Sequence, residues 1–378
     1  MKMQGAVLFE QGMPRPYADS RPLSIETLDL EGPGEGEVLV ELAYAGLCRS
    51  DLSTIAGARP RPLPTVPGHE AAGIVREIGP GISDLKPGDH VVMVFVMSCG
   101  GCPDCVGGKP NLCGSSSAAK ANGTLVSGSR RLSFNGNPVN HAAGISCFAE
   151  YAVVSRGSLV RIDNDVPLAD AALFGCAVIT GVGAVVNTAK VYPGAQMAVV
   201  GLGGVGLNAL LGGVVAGASD IIAVDVNESK LALARQLGAT HTFNAKDPDT
   251  IANIRDLTGG GLEFVFEVAG SIPAWETAYA LTKRGGTVIS AGLTAADAQF
   301  TFHPYQLVSD EKAIKGSYMG SAVPERDVPR FVALYKQGKL PIDKVRTSTI
   351  KLEDINKGFD RLSDGEEVRQ MIDFGGRG

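Results

Sequence analysis

The chain is short of positive charge. Its 378 residues hold 34 Lys and Arg against 40 Asp and Glu, a net of −6. Nucleic-acid binding calls for a basic face, and no Lys/Arg cluster interleaves with aromatics here, so no nucleic-acid partner is expected. No apolar run approaches the ~18 residues of a membrane span, so no membrane partner is expected either. The opening MKMQGAVLFEQG lacks the apolar centre of a secretory signal, which points to a cytoplasmic protein. Low-complexity tracts and internal repeats are absent. Cysteine is scarce, seven in all. In a reducing compartment a tight group of cysteines reads as metal-binding before disulfide.

What is present describes an enzyme-sized globular chain. Hydrophobic residues make up 44%, and the length suffices for two domains with a large core. Up to about residue 178, short strands such as 38-VLVELAYAG, 71-AAGIVREIG and 90-HVVMVFV are separated by turn signals such as 79-GPG and 86-KPGD. That pattern predicts a β-rich domain. Residues 114–146, rich in Ser, Asn and Gly, read as a long surface excursion. After Cys176 the rhythm changes. Apolar runs at 196-QMAVV, 221-IIAVD, 264-FVFEVA and 287-TVISAG alternate with helical stretches such as 228-ESKLALARQLG. Buried strands alternating with helices predict an α/β fold with a doubly wound parallel sheet.

Four of the seven cysteines fall in 99-CGGCPDCVGGKPNLC-113. Cys99, Cys102, Cys105 and Cys113 can close a tetrahedral shell around one zinc ion. With every vertex filled by protein, such a site is structural. An iron–sulfur cluster also uses cysteines two apart, and unliganded buried thiols are the plainer alternative. Cys48 in GLCRSDLS, His69 in PGHEAAG and Cys176 in LFGCAVITG lie far apart, and spacing alone does not join them. Cys147 reads as a packing residue.

The run 197-MAVVGLGGVG-206 is a strand followed by G-x-G-x-x-G. Gly201 permits the tight turn, Gly203 lets backbone approach a pyrophosphate, and Gly206 allows close helix–strand packing. Gly204 and Val205 open the helix whose N-terminus faces the phosphates. Asp225 ends the next strand at the fingerprint distance. Its carboxylate suits the ribose hydroxyls of NAD and repels the extra phosphate of NADP.

In this order, GLCRSDLS, PGHEAAG, the four-cysteine cluster, GCAVITG and GLGGVG resemble the zinc-dependent medium-chain alcohol dehydrogenases over nearly the full length. The resemblance implies a GroES-like β-rich catalytic domain, residues 1–178 and 322–378, and a Rossmann domain, residues 179–321, with the active site in the cleft between them. It implies two zinc ions per chain and NAD. One zinc is structural; the other is catalytic, held by Cys48, His69 and Cys176 with a vertex open to water or substrate and Glu70 close by. Asp51 matches the carboxylate that orients the ligand histidine, and Ser50 the hydroxyl that takes the alcohol proton. Where relatives carry a relay histidine this chain has Ser53, so a steeper alkaline pH dependence is expected. Arg49, Lys230 and Arg369 match cofactor-contacting positions; Thr180, Val268 and Leu293, with Val205, match positions around the nicotinamide. Phe95, Ala118, Ala142, Ala143, Tyr318 and Met319 match the substrate pocket, with Arg59 near its mouth.

Three alanines in that wall point to medium-chain or aromatic primary alcohols and aldehydes rather than ethanol. The glutathione-dependent formaldehyde dehydrogenases are close relatives. They place an arginine where Ser117 stands and an acid where Arg59 stands, which weakens that alternative. Two others are a nicotinoprotein with permanently bound NAD(H) and a non-catalytic zinc-stabilised binding module. The loop after the cluster resembles that of the family's homodimers.

Overall fold

The computed structural model describes residues 1–375. The chain divides into two compact units. One comprises Met1–Cys176, Val323–Lys336 and Arg346–Gly378, and the other Ala177–Ala322 with Gln337–Val345. Residues 376–378, assigned from sequence to the catalytic domain, lie outside the described residues. The first boundary falls directly after Cys176 rather than at 178. Residues 337–345 group with the second unit, not the first, because Leu340, Ile342 and Val345 are fully buried and the turn Ile342–Val345 packs on the helix Gly204–Ala216.

In the first unit, among the described residues, Lys2–Leu8, Leu23–Leu30, Leu132–Phe134, Asn137–His141 and Thr65–Val66 form a closed barrel. A seven-stranded sheet adjoins it, centred on Glu37–Gly46, which pairs antiparallel with Ala71–Ile78, Tyr151–Ser155 and Gln370–Asp373. Glu37–Gly46 is buried along nearly its whole length, which explains its almost unbroken apolar sequence. The segment 114–146 is more regular than its composition suggested. It holds the helix Gly114–Asn122 and two barrel strands. That helix is announced by Cys113, whose sulfur accepts the Ser116 N–H, and ended by Gly123 at φ 65°.

The second unit holds six parallel strands, in the order His241–Asn244, Asp220–Asp225, Gln196–Val200, Leu262–Glu267, Thr282–Ser290, Ala313–Gly316. Counted from Gln196–Val200, that order is 3-2-1-4-5-6. It reverses direction at the first strand, the kind of switch point at which doubly wound sheets bind their ligands. Residues of Gln196–Val200, Asp220–Asp225 and Leu262–Glu267 form the buried apolar core with the helix Ile272–Leu281.

Candidate active site

Cys48 ends the central strand's extension in an extended conformation and caps the helix Arg49–Ile55. Three residues later Asp51 points back into the fold. Its Oδ1 accepts the His69 Nδ1–H at 3.0 Å and the Gly68 N–H at 3.2 Å. The first of these contacts orients the imidazole and turns Nε2 toward Cys176 Sγ, 3.4 Å away. Cys48, His69 and Cys176 each offer one ligand atom, and these lie within 4.8 Å of one another, all buried. Three residues separated by 21 and 107 positions thus converge in one unit.

The electrostatics suit a cation. A hydrogen bond from Cys176, with Arg369 and His69 nearby, holds the Cys48 thiol well below its ordinary value despite burial. The same pairing, reinforced by burial, pushes Cys176 up. Burial opposes a charged His69, but Asp51 and Cys48 outweigh it and the pKa rises. The group therefore holds protons that a metal displaces on binding. Two thiolates and one neutral imidazole make a three-ligand set that fits zinc with one vertex left for substrate. Glu70 is fully buried beside this group, its Oε2 3.4 Å from Arg369 Nη2. Arg369 is 3% exposed and also donates to the Leu47 carbonyl at 2.9 Å. This position, with its guanidinium engaged by Glu70, was not legible in sequence.

The four-cysteine group also closes: its sulfurs all lie within 4.8 Å of one another. Cys102 and Cys113 are 3.9 Å apart, against about 3.8 Å for two thiolates on a tetrahedral zinc. Ser115 and the Gly101 and Cys102 amides pull Cys99 down to about 6, while burial and Cys102 push Cys105 up to about 12. Cys147 is buried elsewhere, its thiol 3.7 Å from the Glu70 carbonyl, as a packing residue.

In the second unit, Gly201 sits at φ 98°, and a Cβ there would lie 2.7 Å from the Ala269 nitrogen. A Cβ on Gly206 would lie 1.9 Å from the Gly201 oxygen. Gly203, by contrast, is exposed, and a Cβ there meets nothing within 4 Å. That leaves open space at the start of the helix Gly204–Ala216, where a helix N-terminus presents unpaired N–H groups. Asp225 ties the loop: its carboxylate accepts the Leu202 N–H at 2.6 Å and the Asn227 N–H at 2.9 Å. Lys230 is half-buried on the next helix. Thr180 is buried with its hydroxyl unpartnered, Val205 and Val268 are half-buried, and Leu293 is 58% exposed. Sequence reasoning missed Glu267. Its buried carboxylate accepts the Gly270 N–H at 2.6 Å and the Ser290 hydroxyl at 2.9 Å, joining the turns that carry Val268 and Leu293.

Among the candidate pocket residues, Phe95 stands edge-on to the His69 ring, centroids 5.6 Å apart. Ala118 is exposed on the helix Gly114–Asn122, while Ala142, Ala143 and Arg59 are half-buried. Tyr318 is exposed and Met319 buried, both in the second unit. Arg49 is exposed and Ser50 half-buried at the start of their helix. The Ser53 hydroxyl donates to the Arg49 carbonyl at 3.0 Å.

The description "alcohol dehydrogenase GroES-like domain" fits residues 34–164, and "zinc-binding dehydrogenase" fits residues 204–337. The chain belongs to the zinc-dependent medium-chain alcohol dehydrogenase family. It is 39% identical to the S-(hydroxymethyl)glutathione dehydrogenase of Paracoccus denitrificans, over 98% of this chain and 100% of that protein. It is 38% identical to the alcohol dehydrogenase class-3 of Cereibacter sphaeroides, over 99% and 100%. The crystal structure of benzyl alcohol dehydrogenase from Acinetobacter calcoaceticus matches with a TM-score of 0.91 at 34% identity, covering 99% of each chain. No single helix among the described residues is long and apolar enough to cross a membrane.

Proposed function

We propose that this zinc alcohol dehydrogenase moves hydride between NAD and primary alcohols or aldehydes of medium-chain or aromatic type. The convergence of Cys48, His69 and Cys176 on one buried point carries the reading. Zinc, when bound, supplies a Lewis acid that acidifies an alcohol or polarises a carbonyl. The protein's own residues do the rest. Asp51 holds the His69 ring, Ser50 takes the hydroxyl proton at Oγ, and Gly201–Gly206 with Asp225 hold the dinucleotide. Asp225 favours NAD over NADP because it is a carboxylate at the ribose end of the fingerprint.

A second reading is S-(hydroxymethyl)glutathione as substrate, which the name of the Paracoccus denitrificans relative favours. Ser117 and Arg59, where an arginine and an acid serve that substrate in relatives, count against it, and the likeness to a benzyl alcohol dehydrogenase favours the first. The protein is further proposed to be a cytoplasmic homodimer. Ala313–Gly316 is an edge strand of the parallel sheet, with Tyr305 and Val308 82% and 80% exposed nearby, an edge open to a second copy. Zinc-loaded protein mixed with free NAD and benzyl alcohol, hexanol, ethanol or S-(hydroxymethyl)glutathione tests the assignment by NADH absorbance. Benzyl alcohol or hexanol should give the highest kcat/KM. Ethanol in that place refutes the wide pocket, and no NADH from any alcohol refutes exchangeable NAD.

A further inference from the structure

We infer that Thr188 is a positioning residue for the nicotinamide end of the dinucleotide, acting through a left-handed turn that its hydroxyl holds in place. The inference rests on the dehydrogenase reading above. Met319, Gly320 and Ser321 follow one another at φ 50°, 63° and 49°. Left-handed backbone is unfavourable for Met and Ser, and such strain persists only where the surroundings over-determine it. Here they do. Thr188 Oγ1 lies 2.8 Å from Ser317 Oγ and 2.8 Å from Ser321 Oγ, so one hydroxyl ties the chain on both sides of the bend. Asn187 Nδ2 donates to the Gly320 carbonyl at 3.3 Å. The Ser317 N–H extends the sheet onto the Ser290 carbonyl at 2.8 Å. Asn187 and Thr188 belong to the widened π-type stretch Ala184–Ala189, which continues the helix Ala177–Gly183. Such widened turns recur at functional sites.

The turn presses on the helix that carries Thr180. A Cβ on Gly320 would lie 2.2 Å from the Ile179 carbonyl oxygen and 2.7 Å from Gly183 Cα. The same helix meets the glycine loop's helix just as closely, since a Cβ on Gly181 would lie 2.3 Å from the Val205 carbonyl oxygen. Residues 179–183 thus touch the turn Met319–Ser321 and the helix Gly204–Ala216 through backbone, without slack. Thr180 stands in the middle of that stretch, 7% exposed, and its hydroxyl has no hydrogen-bond partner. A buried hydroxyl left unpaired is unfavourable, and a polar ligand group relieves it. The nicotinamide end of a dinucleotide supplies an amide of that kind. Removing the Thr188 hydroxyl frees the turn, and with it Met319 and the backing of Thr180. The pyrophosphate and adenosine end relies on residues 201–206 and Asp225 and is untouched.

Calorimetry on the full zinc-loaded chain tests this with NADH and with ADP-ribose, which shares the adenosine and pyrophosphate but lacks nicotinamide. Thr188→Val keeps the side chain's shape and removes the hydroxyl. NADH affinity should fall by about fivefold, the scale of one neutral hydrogen bond, while ADP-ribose binds within twofold of wild type. The emission shift of bound NADH should shrink in parallel. Thr188→Ser, which keeps a hydroxyl, should restore both readings. Ser321→Gly removes the same link with a residue suited to left-handed backbone, so its fold stays intact and the loss should again fall on NADH alone. Equal losses for NADH and ADP-ribose, or unchanged NADH binding in Thr188→Val and Ser321→Gly, overturn the positioning role and leave the dehydrogenase reading standing. Wild-type protein that binds neither nucleotide overturns both.

Discussion

Replacing Gly203 by alanine separates cofactor binding from folding. Gly203 has φ −74° and ψ −173°, a conformation any residue adopts, and its added Cβ meets nothing within 4 Å. The protein alone therefore tolerates the methyl, and the loss of backbone freedom in the unfolded chain stabilises the fold by about 0.4–1 kcal/mol. In the proposed cofactor site the same methyl would intrude where a pyrophosphate approaches. Overpacking of that kind costs on the order of 1–3 kcal/mol, or about 5- to 150-fold in Kd. Gly206→Ala is the contrast. Its Cβ would fall 1.9 Å from a backbone oxygen, so the loop and helix must part and stability itself drops. Urea unfolding and fluorescence titration with NAD read the two quantities independently. The reasoning predicts unaltered or raised stability with weakened NAD binding for Gly203→Ala, and lost stability for Gly206→Ala. NAD binding within twofold of wild type in Gly203→Ala refutes the assignment of this loop as the pyrophosphate cradle.

Three further predictions follow from single contacts. Asp51→Asn, which weakens the hold on His69 Nδ1, should lower zinc affinity by about 10- to 100-fold in a chelator competition, and an unchanged affinity refutes its orienting role. His141 accepts the Arg131 N–H at Nε2, so its proton sits on the buried, unpartnered Nδ1, and burial pushes its pKa down to about 4. The unfolded imidazole titrates near 6.5, so unfolding takes up a proton between these values and stability falls as pH drops from 6.5 to 4. The loss reaches about 3 kcal/mol and should vanish from the pH–stability curve of His141→Gln. Ser53 gives its proton to the main chain, so alcohol oxidation should rise steeply into the alkaline range and Ser53→His should move that rise to lower pH; identical profiles contradict the missing relay.

Much of the fold was readable because its signals are local. Strand-like apolar runs and the strand–glycine–helix junction at 196–216 need no knowledge of distant residues. The helix Gly114–Asn122 and the barrel strands after it were missed because Ser, Asn and Gly mask their pattern, although Cys113 and Gly123 mark the helix ends. Strand His241–Asn244 is short and partly exposed, and Ala313–Gly316 lies at an edge, so neither carries the buried apolar run that revealed its neighbours. The four-cysteine group was legible from spacing. The Cys48–His69–Cys176 group was not, since only the fold closes gaps of 21 and 107 residues, and resemblance supplied that link. Burial of Arg369 against Glu70, the engagement of both Asp225 oxygens, and the Glu267 brace depend on tertiary contacts that no local pattern encodes.

Metal content tests the central claim most directly. Plasma emission spectrometry on the native protein and on a His69→Ala/Cys176→Ala double variant should find two zinc ions per chain in the first and one in the second, with NADH formation from benzyl alcohol lost. One zinc in the native protein, or two retained in the double variant, contradicts the account.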